Sequence, residues 1–192
     1  MNILLLTTSY FPEYNGASLR VEGLCKGLTQ LGHRVIVMAP GTTRSKENHP
    51  YCTVYRIPFK NRISSAIEHF TKFHLSRYLA YSRAIPDIVN KEHITLIHTR
   101  QPLDLFAAGL LAKKKLGLRW ITEAHKFLSI TDYENKTMSL FRKNIILRLE
   151  KKLINKSDGV VALSASGVKR LNHLGITPPK IAIENAPHRR FC

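Results

Sequence analysis

The chain has 192 residues, 44% hydrophobic and 22% charged, which is long enough for one domain with a buried core. A total of 30 Lys and Arg residues against 13 Asp and Glu residues gives a net charge of +17, which favours anionic partners: nucleic acid, a membrane surface or phosphorylated substrates. No apolar run approaches the roughly 18 residues of a membrane span, and we expect no signal peptide because the first residues lack a basic stretch.

The three cysteines, Cys25, Cys52 and Cys192, are scattered along the chain and have no metal-ligand spacing. An odd number of unclustered cysteines is typical of a reduced, cytoplasmic protein. We therefore expect no metal site.

The first third of the chain alternates between apolar runs and helical patterns. The stretch NILLLTTS, residues 2–9, predicts a strand, and a helix is expected from about Ser18 to Leu31, closed by Gly32. HRVIVMAP predicts a second strand, GTTRSKENHP a polar loop and CTVYRIPF a third strand.

The remaining two thirds continue the alternation. A basic amphipathic region is expected from about Ile63 to Asn90, followed by the strand ITLIHTR, the helix LDLFAAGLLAKKKLG and the strand RWITEAH. After a polar loop come a basic helix from about Thr137 to Lys156, the strand DGVVALS, the helix ASGVKRLNHLG and the strand KIAIENAP. Strands that alternate with helices predict a doubly wound, Rossmann-like α/β fold, with a mostly parallel sheet and helices on both faces.

The segment between Ile63 and Asn90 combines cations with apolar residues along one helical face. That face comprises Ile63, Ile67, Phe70, Phe73, Arg77, Tyr81 and Ile85, with cations at Lys60, Arg62, Lys72, Arg77 and Arg83. Such a helix can lie on an anionic membrane surface, or it can pack on the sheet with a solvated outer face. Both interpretations stay open at this point.

The loop TTSYFPEYNGAS follows the first strand and leads into the first helix. In open α/β sheets, ligands bind at the carboxyl ends of the strands. Gly16 lacks a Cβ, so it can adopt positive φ or let an oxygen approach, and the helix behind it offers free N–H groups to a diphosphate. The alternative is that Asn15-Gly16 is only a turn.

Five segments in this order resemble the N-terminal half of a retaining, family 4 glycosyltransferase of the GT-B fold. They are SYFPEYNGAS; LTQLGHRVIVMAP; IHTRQPLDLFAAGLLAKKKLG; WITEAHKF; and EKKLINKSDGVVALSASGVKRLNHLG followed by KIAIENAPHRRF. The resemblance covers the whole chain and implies an acceptor-side domain over residues 1–184. It implies that residues 185–192 begin a linker to a C-terminal domain that binds most of the donor.

The resemblance implies sugar transfer from a UDP- or GDP-linked nucleotide sugar to a sugar or lipid-linked acceptor, without a metal or other cofactor. It places Asn15, Gly16 and Ala17 against the donor diphosphate, although many members have two glycines where this chain has Asn15-Gly16. Tyr10 and Glu13 match acceptor-facing positions. The isolated chain is then expected to be inactive, because the other donor-binding residues lie in the second domain.

His125 ends the strand WITEAH, and the resemblance places it near the reacting sugar as the catalytic residue. We assign it positioning and polarisation, because a neutral imidazole can donate or accept a hydrogen bond. Four neighbours at strand ends are candidate acceptor-binding residues on the cleft side: Arg100, Gln101, Glu123 and Lys126. Arg100 could hold a phosphate or carboxylate through two hydrogen bonds, or be an ordinary solvated arginine. Asp158 is expected to be structural.

These inferences predict an enzyme of cell-surface glycan or glycolipid biosynthesis, cytoplasmic and peripheral on the inner face of an anionic membrane. Two alternatives remain open. A non-catalytic, GT-B-like binding module would share the fold, and the net charge alone would suit a nucleic-acid-binding domain. The sequence lacks a helix-turn-helix, an RNP-like motif or an aromatic stacking platform, so no nucleic-acid partner is expected.

Overall fold

The computed structural model describes residues 1–59, 70, 73–124 and 127–184. Eight strands in the described ranges form one sheet, in the order β3-β4-β2-β1-β5-β6-β7-β8. The strands are β1 (Asn2–Leu6), β2 (Arg34–Gly41), β3 (Ser45–His49), β4 (Cys52–Pro58), β5 (Leu96–Arg100), β6 (Arg119–Glu123), β7 (Gly159–Ala162) and β8 (Lys180–Ala182). All neighbouring pairs are parallel except β3 with β4. The predicted doubly wound, mostly parallel sheet is confirmed.

The helices in the described ranges cover both faces of the sheet. They are α1 (Gly16–Gln30), α2 (Leu75–Glu92), α3 (Leu103–Leu116), α4 (Leu128–Glu134), α5 (Leu140–Ile154) and α6 (Ala165–His173). Successive strand residues point to opposite faces, so Leu5 packs with Val21 and Cys25 of α1, whereas Leu4 and Leu6 pack with residues of α2 and α3. The core is therefore divided into two layers by the sheet.

Two predicted loops contain regular structure. Residues of GTTRSKENHP form the edge strand β3, which pairs antiparallel with β4. Its residues alternate between half-buried and exposed and none is apolar, so the strand carries no hydrophobic pattern. The loop after β6 contains α4, and the helix expected from Thr137 begins at Leu140, after the N-cap residue Ser139.

Most of the predicted element ends shift by a few residues. β1 ends at Leu6 rather than Ser9, and α1 begins at Gly16 rather than Ser18. Within the region expected to be helical from Ile63 to Asn90, the described helix starts at Leu75, while residues 63–69, 71 and 72 lie outside the described part. The two elements that flank the first loop, β1 and α1, position the carboxyl edge of the sheet.

Two ion pairs fix helices and strands far from each other in sequence. Arg77 of α2 donates from Nε and Nη2 to the two Asp104 carboxylate oxygens of α3, at 2.6 and 3.0 Å, and both side chains are buried. Asp158 accepts from the Trp120 N–H at 2.8 Å and from Lys113. Burial raises the pKa of Asp158, but these two donors outweigh it and the pKa is lowered. The predicted structural role of Asp158 is confirmed.

Candidate functional site

The loop between β1 and α1 lies at the carboxyl edge of the sheet and is held in place by contacts of buried side chains. The buried hydroxyl of Tyr81 donates to the Thr7 carbonyl oxygen at 2.9 Å. Tyr10 is buried, with its hydroxyl 3.2 Å from the Cys52 Sγ, and burial raises its pKa. Glu13 and Asn15 are exposed, so the loop presents these two side chains to solvent.

The beginning of α1 is capped by its own N-terminal residues. The Asn15 Oδ1 accepts from the N–H groups of Ala17 and Ser18, both at 2.9 Å, and Ser18 Oγ accepts from the Asn15 N–H at 3.0 Å. This reciprocal arrangement is a capping box. The amide oxygen of Asn15 therefore occupies the place where an anionic oxygen would meet the same two N–H groups.

Gly16 leaves room at this helix terminus. A Cβ built on Gly16 would meet nothing within 4 Å, and no acceptor in the described part of the chain faces its N–H. Of the two options that the missing Cβ leaves open, Gly16 does not adopt positive φ, since the positive-φ glycines among the described residues are Gly32, Gly117 and Gly175. Asn15 is extended, with φ −145° and ψ 170°, so the open space rather than the backbone shape makes Gly16 suited to a close ligand.

The ends of β5 and β6 carry a buried ion pair. Arg100 and Glu123 are register partners, and the Arg100 Nε donates to Glu123 Oε1 at 3.1 Å. Arg20 of α1 approaches the same oxygen with its Nε at 3.5 Å, and the Glu123 side chain has no exposed surface. Burial lowers the pKa of Arg100, while the Glu123 charge opposes that shift. The two arginines hold the buried Glu123 carboxylate in place.

The same arginines bind backbone carbonyl groups on either side. Arg100 donates from Nη1 to the Ala17 carbonyl oxygen at 2.8 Å, so it holds the first turn of α1. Arg20 donates from Nη1 and Nη2 to the carbonyl oxygens of Glu184 and Ile183, at 3.1 and 2.9 Å. The Glu123 cluster (Arg20, Arg100 and Glu123) thus joins the start of α1, two strand ends and the segment after β8.

Arg20 is a residue that the sequence interpretation missed. It lies four residues before Leu24 and eight before Leu28, on the inward face of α1, and is only 8% exposed. A charged side chain at an inward helical position signals a buried partner, and this spacing could have identified it. His98 was also missed; its Nε2 lies 3.8 Å from Glu123 Oε2.

The structure brings part of the predicted site together. Asn15, Gly16 and Ala17 lie beside Arg100 and Glu123 at one edge, as the contacts above require. His125 and Lys126, the predicted catalytic residue and its neighbour, lie outside the described residues.

The remaining predicted acceptor-binding residues differ in exposure. Glu13 is exposed and Gln101 is half-buried, so both can meet a ligand. The hydroxyl of Tyr10 and the carboxylate of Glu123 instead face protein partners, and this burial argues for positioning rather than acceptor contact. Arg100 is likewise a buried, paired arginine and not a solvated one.

Neither a metal nor a membrane span is indicated by the described geometry. Across residues 1–59, 70, 73–124 and 127–184, no three His, Cys, Asp or Glu side chains are grouped so that they could hold a metal ion. In the same ranges, no helix combines the length and apolarity needed to cross a membrane.

The geometry defines a Rossmann-like domain whose candidate site lies at the carboxyl edge of its sheet. Residues 14–183 match the model of Glycosyltransferase Family 4, and the chain belongs to this family. The resemblance noted from the motifs is therefore confirmed.

Curated relatives agree with this membership. The chain is 26% identical over 167 residues to an alpha-monoglucosyldiacylglycerol synthase of Streptococcus pneumoniae, covering 85% of this chain and 35% of that protein. It is 25% identical over 158 residues to the synthase of the same name from Acholeplasma laidlawii, covering 81% and 38%. The chain thus spans little more than a third of the length of these relatives.

Among solved structures, the sucrose-phosphate synthase of Thermosynechococcus elongatus superposes with a TM-score of 0.77 at 17% identity. The match covers 98% of this chain and 49% of that one. At this identity the likeness supports the fold alone, and this chain spans about half the length of that one. Family membership disfavours the interpretation as a nucleic-acid-binding domain.

Proposed function

We propose that this chain is the acceptor-side domain, residues 1–184, of an enzyme that transfers a sugar from a nucleotide sugar to an acceptor with retention of configuration. The observation that carries the proposal is the N-terminus of α1, which has open space at Gly16 and is held at the sheet edge by Arg100, in a chain of family 4. Residues 185–192 would begin the linker to a second domain that binds the nucleotide.

The first turn of α1 would bind the donor diphosphate. The positive end of the helix dipole and the N–H groups of Gly16, Ala17 and Ser18 favour an anion. To engage all three N–H groups, the diphosphate oxygen must displace the Asn15 side chain from Ala17 and Ser18. Donor binding would therefore replace the neutral amide oxygen of Asn15 with a charged diphosphate oxygen as the hydrogen-bond acceptor. The donor is proposed to be a UDP- or GDP-linked sugar, with no metal or other cofactor required.

The catalytic role falls to His125, two residues beyond Glu123 in the chain. Because two arginines fix Glu123, the backbone leaving β6 starts from a rigid position. His125 would polarise and position the reacting groups, while Glu13, Gln101 and Lys126 would contact the acceptor. The Glu123 cluster would act through the backbone rather than by touching substrate.

The acceptor is proposed to be lipid-linked. Two relatives are named as synthases of a glucosylated diacylglycerol, and the net charge of +17 suits an anionic membrane surface. The enzyme would be cytoplasmic and peripheral on the inner face of the membrane. Its product would belong to glycolipid or cell-surface glycan synthesis.

The test uses the protein encoded by the whole reading frame that contains these residues. Labelled UDP- and GDP-sugars are incubated with vesicles that contain diacylglycerol, and labelled lipid is extracted and counted. We expect transfer by the whole protein, none by the isolated 192-residue chain, and a loss of about 10²–10³ in turnover for His125→Ala.

The matched control is His173→Ala, since His173 is an exposed histidine on α6. It should leave turnover unchanged, and all variants should melt like the wild type. Absence of transfer from every sugar nucleotide would overturn the proposed activity. Full turnover by His125→Ala would remove the catalytic assignment alone.

A further inference from the structure

Helix α5 has apolar residues on two opposite sides. Its inward side buries Ile146, Glu150 and Ile154. Its outward side carries Phe141, Ile145 and Leu149 at positions i, i+4 and i+8, and Phe141 is 72% and Leu149 41% exposed. A globular helix needs only the inward row for packing, so the outward row calls for a separate explanation.

The surroundings of the outward row are cationic. Five cations lie on α5: Arg142, Lys143, Arg148, Lys151 and Lys152. The one acidic residue of this helix, Glu150, is buried and accepts from the Ser129 hydroxyl. Arg148 and Lys152 are exposed, and neither forms an ion pair within the described part of the chain.

Two exposed aromatic rings contact cations in the N-terminal half of α5. The Arg142 guanidinium lies 5.5 Å from the centroid of the Phe70 ring, and its Nε donates to the Phe70 carbonyl oxygen at 2.6 Å. The Lys143 ammonium lies 4.3 Å from the centroid of the Tyr133 ring. Aromatic rings next to cations are typical of protein surfaces at the membrane interface.

The acidic groups near this surface belong to α4. Glu134 is 3.7 Å from Arg170, and Asp132 is half-buried. These two acidic residues lie on the neighbouring helix α4 and not among the outward residues of α5. The outward side of α5 therefore keeps its positive charge. Negative lipid headgroups would therefore be attracted to it.

We propose that the outward face of α5 (Phe141, Ile145, Arg148, Leu149 and Lys152) lies flat on an anionic bilayer. The apolar row inserts between headgroups, and the two cations contact lipid phosphates. Because α5 follows β6 and leads back to β7, its first turn, with Phe141, lies toward the carboxyl edge, which is also the edge of the candidate site. This inference rests on the proposed function for its biological purpose.

The surface differs from the one that the sequence suggested on α2. Tyr81 has no exposed surface, and Arg77 is buried against Asp104. The inner side of α2 is therefore core, in agreement with the packed alternative. Of the cations expected there, Lys60, Arg62 and Lys72 lie outside the described residues.

The experiment measures binding of the 192-residue chain, without any sugar donor, to vesicles of phosphatidylcholine and to vesicles with added phosphatidylglycerol. We expect cosedimentation only with the anionic vesicles, reversed at high salt because the Debye length falls from about 10 Å at 0.1 M to about 3 Å at 1 M. Arg148→Gln with Lys152→Gln should weaken binding by about tenfold or more. Phe141→Ser with Leu149→Ser should weaken it similarly.

Matched controls lie at the opposite, amino edge of the sheet. Lys91→Gln with Lys114→Gln removes the same charge from exposed positions, and Leu31→Ser removes a residue that is 73% exposed. Both control proteins should bind like the wild type. All of the substituted residues are exposed or half-buried, so melting temperatures should stay within a degree or two.

Three results would overturn the inference. Equal weakening by the control pair would show that net charge alone is responsible. A dimer that Phe141→Ser dissociates would assign the face to a second copy of the chain. Binding to random-sequence DNA, but not to anionic vesicles, would assign it to nucleic acid. Because no sugar is present, each result is independent of whether the whole protein transfers sugar.

Discussion

The Glu123 cluster and the outward face of α5 both carry arginines, but they place them in opposite environments. Arg20 and Arg100 are each 8% exposed and share one carboxylate, whereas Arg148 is exposed and pairs with no described acidic group. A buried arginine without its partner is strongly unfavourable, while an exposed one contributes little to folding. The comparison teaches that the location of the cations, and not their number, determines what they do.

The largest expected effect follows from removing the shared carboxylate. Glu123→Gln leaves Arg20 and Arg100 buried together without a counter-charge, which should lower the free energy of unfolding by about 3–5 kcal/mol. Urea denaturation followed by circular dichroism measures it. A variant as stable as the wild type would mean that Arg20 and Arg100 reach solvent. The Glu123 cluster and the outward face of α5 would then not differ in the exposure of their arginines.

A second test concerns Arg77, for which the sequence left a membrane-facing and a packed position open. Arg77→Gln removes the bidentate partner of the buried Asp104, so we expect a loss of about 3 kcal/mol in unfolding free energy. Arg83→Gln, an exposed residue of the same helix, is the control and should change stability by less than about 0.5 kcal/mol. Equal effects of the two variants would contradict the buried placement of Arg77.

The capping box predicts a smaller effect at the start of α1. Asn15→Ala frees the N–H groups of Ala17 and Ser18 and should cost about 1 kcal/mol. Asn15→Asp should retain the stability, since a carboxylate also caps and favours the helix dipole. If a diphosphate displaces the Asn15 side chain from these N–H groups, Asn15→Asp should nevertheless weaken donor binding in the whole protein, because the carboxylate repels the diphosphate. Equal donor affinity would place the diphosphate elsewhere.

The smallest effect is a pH dependence at the edge strand β3. Hydrogen bonds from Arg56 lower the pKa of Glu47, despite opposing desolvation. A carboxylate with a lowered folded pKa stabilises the protein above its unfolded pKa, near 4.3, and this contribution is lost as pH falls through the folded value. The stability difference between the wild type and Glu47→Gln should therefore shrink between about pH 5 and pH 3. A difference that is constant over this range would show that Glu47 is unpaired in solution.

Much of the sheet could be predicted because its strands are buried on both faces and read as apolar runs. β3 could not, since an edge strand of polar residues such as Lys46 and Glu47 resembles a loop. α4 was missed for a related reason, because its seven residues are too few to establish a periodic pattern.

The candidate site could be predicted where it depends on the order of neighbouring elements along the chain. It could not be predicted where it depends on pairs of residues that are far apart in the sequence. Asn15 and Gly16 were identifiable because a loop follows a strand and precedes a helix. The Glu123 cluster was not, since Arg20 and Glu123 are 103 positions apart and only the folded sheet brings them together. The choice between an exposed and a packed Arg77 could not be made from the sequence for the same reason, as its partner Asp104 lies on another helix.

The most direct test of the difference between buried and exposed cations compares two proteins of equal net charge. Arg77→Gln and Arg148→Gln each remove one positive charge, and their cosedimentation with anionic vesicles is measured at a temperature at which both are folded. We predict that Arg148→Gln weakens binding by about fivefold and that Arg77→Gln leaves it unchanged. Equal weakening by both substitutions would show that net charge governs the interaction and would contradict this account.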